Sequence, residues 1–164
     1  MAPKIASDPY SLALKWLATR ELSESQIRQR LRARQVSPDT IEDVAAKLRH
    51  AGALDDRRTA LACTRTEALI KRHGRHRVMR QLESIGIHRD LARQTVQEVF
   101  EDIDERELME RALAGRTGKR GRTIKDPAEY RRLFAFLIRQ GFDASAVTAL
   151  LRSRSRGDAR SDDV

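Results

Sequence analysis

His73 and His76 stand three residues apart, a spacing that one turn of helix can aim at a common metal ion, and Asp55 and Asp56 set two carboxylates side by side. Neither pattern carries through to chemistry. The two histidines lie among arginines in "KRHGRHRVMR" with no carboxylate or thiolate companion beside them. Asp55 and Asp56 sit where a helix start needs side-chain acceptors, so capping is their first reading. Cys63 is the single cysteine; it has no disulfide partner and reads as a small apolar residue of a reducing compartment. No phosphate-cradling GxxxxGK[ST], dinucleotide fingerprint or nucleophile elbow is present. The reading is therefore of a protein that is not an enzyme and that carries no metal or cofactor.

The chemistry on offer is that of a polyanion binder. Thirty-three Lys and Arg face 24 Asp and Glu, a formal +9 in which arginine far outnumbers lysine. The charge is also segregated. Arg57 to Arg80 holds eight basic residues and one acid, Glu67, whereas Glu98 to Glu110 holds seven acids and Arg106. Lys71, Arg72, Arg75, Arg77 and Arg80 surround Gly74, the expected turn into a helix, whose free N–H groups could join guanidinium groups on phosphates. The bland alternative is that these residues cover helix ends and answer the acidic stretch within the fold. Surface pairs are each worth less than about 1 kcal/mol, which makes an anionic partner the better account of so dense a cluster.

A second basic stretch, "IRQRLRARQV" (27–36), sets Arg28, Arg30, Arg32 and Arg34 at every second position. On a strand all four would share a face; on a helix they separate. Apolar residues decide for the helix: Ile27 and Leu31, like Leu12 and Trp16 before them and Ile41, Val44 and Leu48 after, recur at helical spacing. Arg28 and Arg32 then share one flank, Arg30 lies near the other, and Arg34 comes round toward the apolar face, where its stem can pack. Asp8-Pro9, Ser37-Pro38 and Asp126-Pro127 mark helix starts, and Ser23 with Gln26 has capping-box spacing. No segment alternates as a strand. The longest apolar run, "LFAFLI" (133–138), is far short of the roughly 20 residues of a membrane span, and no secretory signal is visible, so a cytoplasmic protein without membrane contact is expected.

The apolar skeleton returns. Ile27, Leu31, Val36, Ile41 and Val44 have the same spacing as Val78, Leu82, Ile87, Ala92 and Thr95, and as Leu133, Leu137, Phe142, Val147 and Leu150; the copies begin 51 and 55 residues apart. The turns "ARQVSPDTI", "SIGIHRDLA" and "IRQGFDASAV" agree as well, and a further helix precedes each pair. The fold expected is all-α, with three tandem three-helix-bundle repeats over 8–52, 53–102 and 103–152 stacked into an elongated, curved array. "GRTGKRGRTIKDP" (115–127) reads as a flexible basic linker inside the third repeat, and 153–164 as a disordered tail.

Three segments, "LATRELSESQIRQRL", "GALDDRRTALACTRTEALIKRHGRHRVMRQLESIGI" and "RRLFAFLIRQGFDASAVTALL", in this order and spacing, resemble the RecX family of recombination regulators over about residues 10–152. Thr59 stands where that family usually has an aromatic residue, Gln26 where it has Glu, and Gln140 where it has Arg. The resemblance implies tandem three-helix repeats and a non-enzymatic role: binding the RecA recombinase filament on single-stranded DNA and inhibiting its ATPase, strand-exchange and co-protease activities. On that view the protein is a monomer making sequence-independent contacts. Its basic helices face RecA acids or the enclosed DNA through Arg28, Arg32, Lys71, Arg72, Arg75, Arg77 and Arg80. The competing readings are a sequence-specific transcription factor and another helical protein that binds DNA or RNA without RecA.

Overall fold

The computed structural model describes residues 8–118, 123–124 and 126–155. Among them every regular element is a helix: α1 (Pro9–Leu17), α2 (Glu24–Ala33), α3 (Pro38–His50), α4 (Asp56–Arg65), α5 (Arg75–Ser84), α6 (Arg89–Glu101), α7 (Glu105–Thr117), α8 (Pro127–Arg139) and α9 (Ala144–Ser155). A π-turn over Thr66–Ile70 prolongs α4. The helices start where the sequence marks them. Asp8, Ser37 and Asp126 accept hydrogen bonds from the amides of Ser11 (3.0 Å), Thr40 (3.3 Å) and Ala128 (2.8 Å), each beside a first-turn proline. Ser23 and Gln26 form the capping box. Of the two adjacent aspartates only Asp55 caps α4.

The helices pack in threes in chain order, α1 to α3, α4 to α6 and α7 to α9. The skeleton that defines the repeat is the core. Fourteen of its fifteen residues are buried, and Val36, the fifteenth, is partly buried against the first core. Thr95 occupies an apolar position by donating its hydroxyl to the Leu91 carbonyl at 2.8 Å, which satisfies the one polar atom it brings inside. Among the described residues there are two cores rather than three. The first bundle closes on Ile27, Leu31, Ile41 and Leu48, while the second and third share a continuous cluster running from Ala60 through Phe100 to Leu151.

One joint, used twice, connects neighbouring bundles. The start of the middle helix in one repeat docks on the turn that ends the middle helix of the next. At the first joint the Ser23 hydroxyl donates to the Ile85 carbonyl, and Ser25 lies against Gly86, where any Cβ would collide with it. Asp56, freed from capping, accepts the Glu24 amide at 2.8 Å, and Thr59 donates to the Leu22 carbonyl at 3.3 Å. At the second joint the amides of Gly74 and His76 donate to the carbonyls of Gln140 (2.9 Å) and Gly141 (3.1 Å), and a Cβ on Gly141 would strike the Arg77 backbone. Ser23 and Gly74 are 51 residues apart, and Gly86 and Gly141 are 55 apart, the offsets of the skeleton itself. Gln35 occupies the same turn in the first repeat with φ 60 and an exposed side chain.

Two boundaries differ from expectation. Gly115, Arg116 and Thr117, expected in the linker, are the last turn of α7, and Ile124 is buried in the shared core; 119–122 and 125 lie outside the described residues. Helix α9 continues to Ser155 because Arg154 is buried there and paired with Glu110; of the expected tail, 156–164 lie outside the described residues.

The joints make a stability prediction. Gly52 has φ +67 but open space around its Cα, so Gly52→Ala should cost about 1 kcal/mol, the left-handed penalty alone. Gly86→Ala and Gly141→Ala add a collision to that penalty and should cost at least about 2 kcal/mol each in urea unfolding. Equal losses at all three glycines would refute the joint.

Candidate functional site

The π-turn, the last turn of α7 and the outer face of α8 enclose a basic groove. Its first part, about 430 Å³, lies between Lys71 and Arg72 on one side and Gly115, Arg116, Phe136 and Gln140 on the other. Its second part, about 380 Å³, continues from Arg116 onto Arg131, Arg132 and Arg139. Asp126-Pro127 fixes the start of α8, and Leu133 and Leu137 turn one face of that helix into the core. The opposite face then presents Ala128 and Ala135 as a low floor beside Arg131 and Arg132 and, two helical turns on, Arg139. Gly115 leaves room for Arg72 to lie along α7, since a Cβ there would come 2.9 Å from its Nη1. The Arg116 guanidinium stacks over the Phe136 ring at 4.9 Å.

No carboxylate lines either part of the groove. Among the described residues Arg72, Arg116, Arg131, Arg132 and Arg139 have no ion-pair partner, while Lys71 is paired with Glu67 at 2.6 Å. Apart from the stack of Arg116 on Phe136, guanidinium groups crowded in this way repel one another and form no contact that favours folding. What they can do is accept phosphate or carboxylate oxygens through forked N–H donors.

The residues singled out in the sequence divide between this site and the fold. Lys71 and Arg72 enter the groove. Arg32 and Arg80 are exposed on α2 and α5, away from it. Arg28 is held by Glu24 and by both oxygens of Glu42, and its guanidinium pKa is driven upward chiefly by the Glu42 hydrogen bonds. Arg75 pairs with Glu105 and lies over the Phe100 ring at 4.9 Å, bracing the second repeat against the third. Arg77 donates to Gln140 Oε1 at 3.1 Å within the second joint. Two amides at the start of α5, expected to be open for an anion, those of Gly74 and His76, are spent on that joint. Arg34 also departs from expectation: α2 ends at Ala33, so Arg34 turns out as the exposed cap, while Arg30 packs over Trp16 at 5.5 Å. The acidic stretch serves the fold, with Glu98 paired to Arg57, Glu105 to Arg75, Glu107 to Arg111 and Glu110 to Arg154.

Four groove arginines, Arg116, Arg131, Arg132 and Arg139, were not among those singled out. Their signal was present as an acid-free stretch, 130–142, with three arginines on the face opposite Leu133 and Leu137. It is masked by the apolar run "LFAFLI", which reads as core.

Beneath the groove a buried carboxylate fastens the π-turn. Glu67, 4% exposed, accepts from Lys71 Nζ and, at 2.7 Å, from His73 Nδ1. Burial resists ionisation of Glu67, but the Lys71 and His73 hydrogen bonds outweigh it and hold its carboxyl below the ordinary value. Burial also depresses the His73 imidazole, against the pull of Glu67, so the ring is neutral near pH 7 and donates its Nδ1 proton.

Fold and site together define a tandem three-helix-repeat protein that carries a cationic groove lined by no carboxylate. A family model described as "RecX, first three-helix domain" matches residues 10–48. The regulatory protein RecX of Syntrophotalea carbinolica is 30% identical over 147 residues, covering 90% of this chain and 94% of that one. The RecX of Geobacillus thermodenitrificans is 30% identical over 146 residues, 89% of this chain, which spans about half (54%) of that longer relative. The crystal structure of RecX from Lactobacillus salivarius superposes with a TM-score of 0.74 at 18% identity, covering 90% of this chain and 95% of that one. The chain belongs to the RecX family. No helix among the described residues is long and apolar enough to cross a membrane.

The Glu67–His73 pair gives stability a pH dependence. Both groups regain higher pKa values on unfolding, so the unfolded chain binds more protons in acid; their contribution is full above about pH 6.5 and falls below it. The melting temperature should therefore drop between about pH 7 and about pH 5, and His73→Asn, which keeps an N–H for Glu67 without titrating, should flatten that drop. Parallel pH profiles for the two proteins would show that the pair is not responsible.

Proposed function

We propose that this chain is a non-enzymatic, monomeric, cytoplasmic regulator that binds the RecA filament assembled on single-stranded DNA and damps its ATPase, strand-exchange and co-protease activities. Membership of a family whose members are named regulatory proteins supports the reading. The observation that carries it is the acid-free groove whose five arginines lack ion pairs among the described residues. Such a surface fits the phosphates or acidic residues of an extended, repeating partner.

The tandem array would lie along the helical groove of the filament and bridge adjacent RecA subunits, opposing either the ATP-linked conformational change or further subunit addition. Repeats joined in one chain raise each other's effective concentration, so three modest contacts add up to tight binding. Arginines on an alanine floor read charge and spacing rather than base edges, which favours sequence-independent contact.

RecA's DNA-dependent ATP hydrolysis, measured with substoichiometric amounts of this protein, tests the assignment. Inhibition is expected, and the triple variant Arg131→Gln, Arg132→Gln, Arg139→Gln should need at least about tenfold more protein for the same effect and show a shallower salt dependence. Arg80→Gln, away from the groove, should change little. No inhibition by the parent protein would remove the function; full inhibition by the triple variant would move the contact elsewhere.

A further inference from the structure

Leu69 and Ile70 close the π-turn with 52% and 73% of their surface exposed. Among the described residues three large apolar side chains are left in solvent, and these two are neighbours in the chain. A single exposed aliphatic residue is ordinary; an adjacent pair on a stiff turn presents a continuous apolar step. The turn is stiff because it is pinned at both levels. The Lys71 amide donates to the Thr66 carbonyl at 3.1 Å and the His73 amide to the Glu67 carbonyl at 3.0 Å, while the Glu67 carboxylate holds Lys71 and His73 from inside. Inserted π-turns of this kind recur where a helix must aim particular side chains.

The surroundings are basic. Arg65 and Arg72 are exposed on either side of the step, and Glu67, the one acid between Arg57 and Arg80, is buried beneath it and paired with Lys71. Aliphatic side chains gain nothing from phosphates, and unpaired bases stack on aromatic rings and guanidinium planes rather than on branched alkyl groups. An apolar centre within a charged rim is instead the composition of a protein contact.

We propose that Leu69 and Ile70 dock into an apolar pocket on an acidic protein surface, with Arg65 facing carboxylates at the pocket's edge. This rests on the reading given under Proposed function and refines it: the step meets the RecA subunit, whereas the arginine groove beside it takes the phosphates. The two surfaces then differ in chemistry. One is chiefly apolar and only weakly sensitive to salt; the other is electrostatic and loses affinity steeply as salt rises.

The test is fluorescence anisotropy of the labelled full chain with preformed RecA filaments on single-stranded DNA and, separately, with the same DNA bare. Both side chains are exposed, so Leu69→Gln with Ile70→Gln preserves charge and fold, which an unchanged melting temperature checks. The double variant should bind filaments at least about tenfold more weakly and bare DNA within about twofold of the parent. Filament affinity equal to the parent's would overturn the proposal. A parallel loss on bare DNA would also overturn it, by assigning the step to bases wedged apart by aliphatic side chains. If the parent itself fails to bind filaments, the regulatory reading falls and takes this inference with it; a parent that binds beside an unimpaired variant refutes the inference alone.

Discussion

Everything distinctive in this molecule depends on a backbone-to-backbone approach at the joint between repeats. A three-helix unit of about 50 residues buries too little apolar surface to be robust alone, so its neighbours must complete it. Here completion is achieved by seating a helix start on the turn of the next repeat, where donors that a helix leaves unpaired meet carbonyls that a helix end leaves unpaired. At the second joint the fit is direct, amide to carbonyl, and Gly74 and Gly141 exist to let the chains come that close. At the first, serine side chains make the contact, Ser23 by donating to the Ile85 carbonyl and Ser25 by packing on Gly86. The left-handed turn is a property of every repeat, since Gln35 adopts it too; glycine is required only where another helix docks.

The joint also decides which charges remain for a partner. Arg75 and Arg77 lie at the heart of the basic run, yet one braces the shared core through Glu105 and Phe100 and the other is fixed by Gln140. Gln26, Thr59 and Gln140 all act at the joints: Gln26 caps the helix that docks, Thr59 bonds Leu22, and Gln140 accepts Arg77. The seams thus consume polar groups in hydrogen bonds, while the groove arginines have no ion-pair partner among the described residues.

Fold class, repeat number and most helix starts were legible in the sequence because their causes are local. Capping acceptors, first-turn prolines and a skeleton of apolar residues at fixed spacing each act within a few residues of where they are read. The site was less legible because its cause is not local. Linear density drew attention to Lys71–Arg80, but a helix spreads such a run around its axis, and packing then consumes part of it. The groove draws Lys71 and Arg72 from one repeat and Arg116, Arg131, Arg132 and Arg139 from another, a meeting that only the second joint produces.

The same geometry explains why the two strongest surface features stand side by side. The chain leaving α4 must turn sharply to deliver Gly74 to its seat on α8, and the π-turn supplies that change of direction. Turning there exposes Leu69 and Ile70 and at once delivers Lys71 and Arg72 to the mouth of the groove. Glu67 holds the arrangement from within, neutralising Lys71 and orienting His73 without presenting a carboxylate to the surface. A carboxylate placed outside would have met the same pairing need but would have cancelled the field of the neighbouring arginines. Its burial, at a desolvation cost offset by two hydrogen bonds, leaves the groove arginines without a competing carboxylate beside an apolar step.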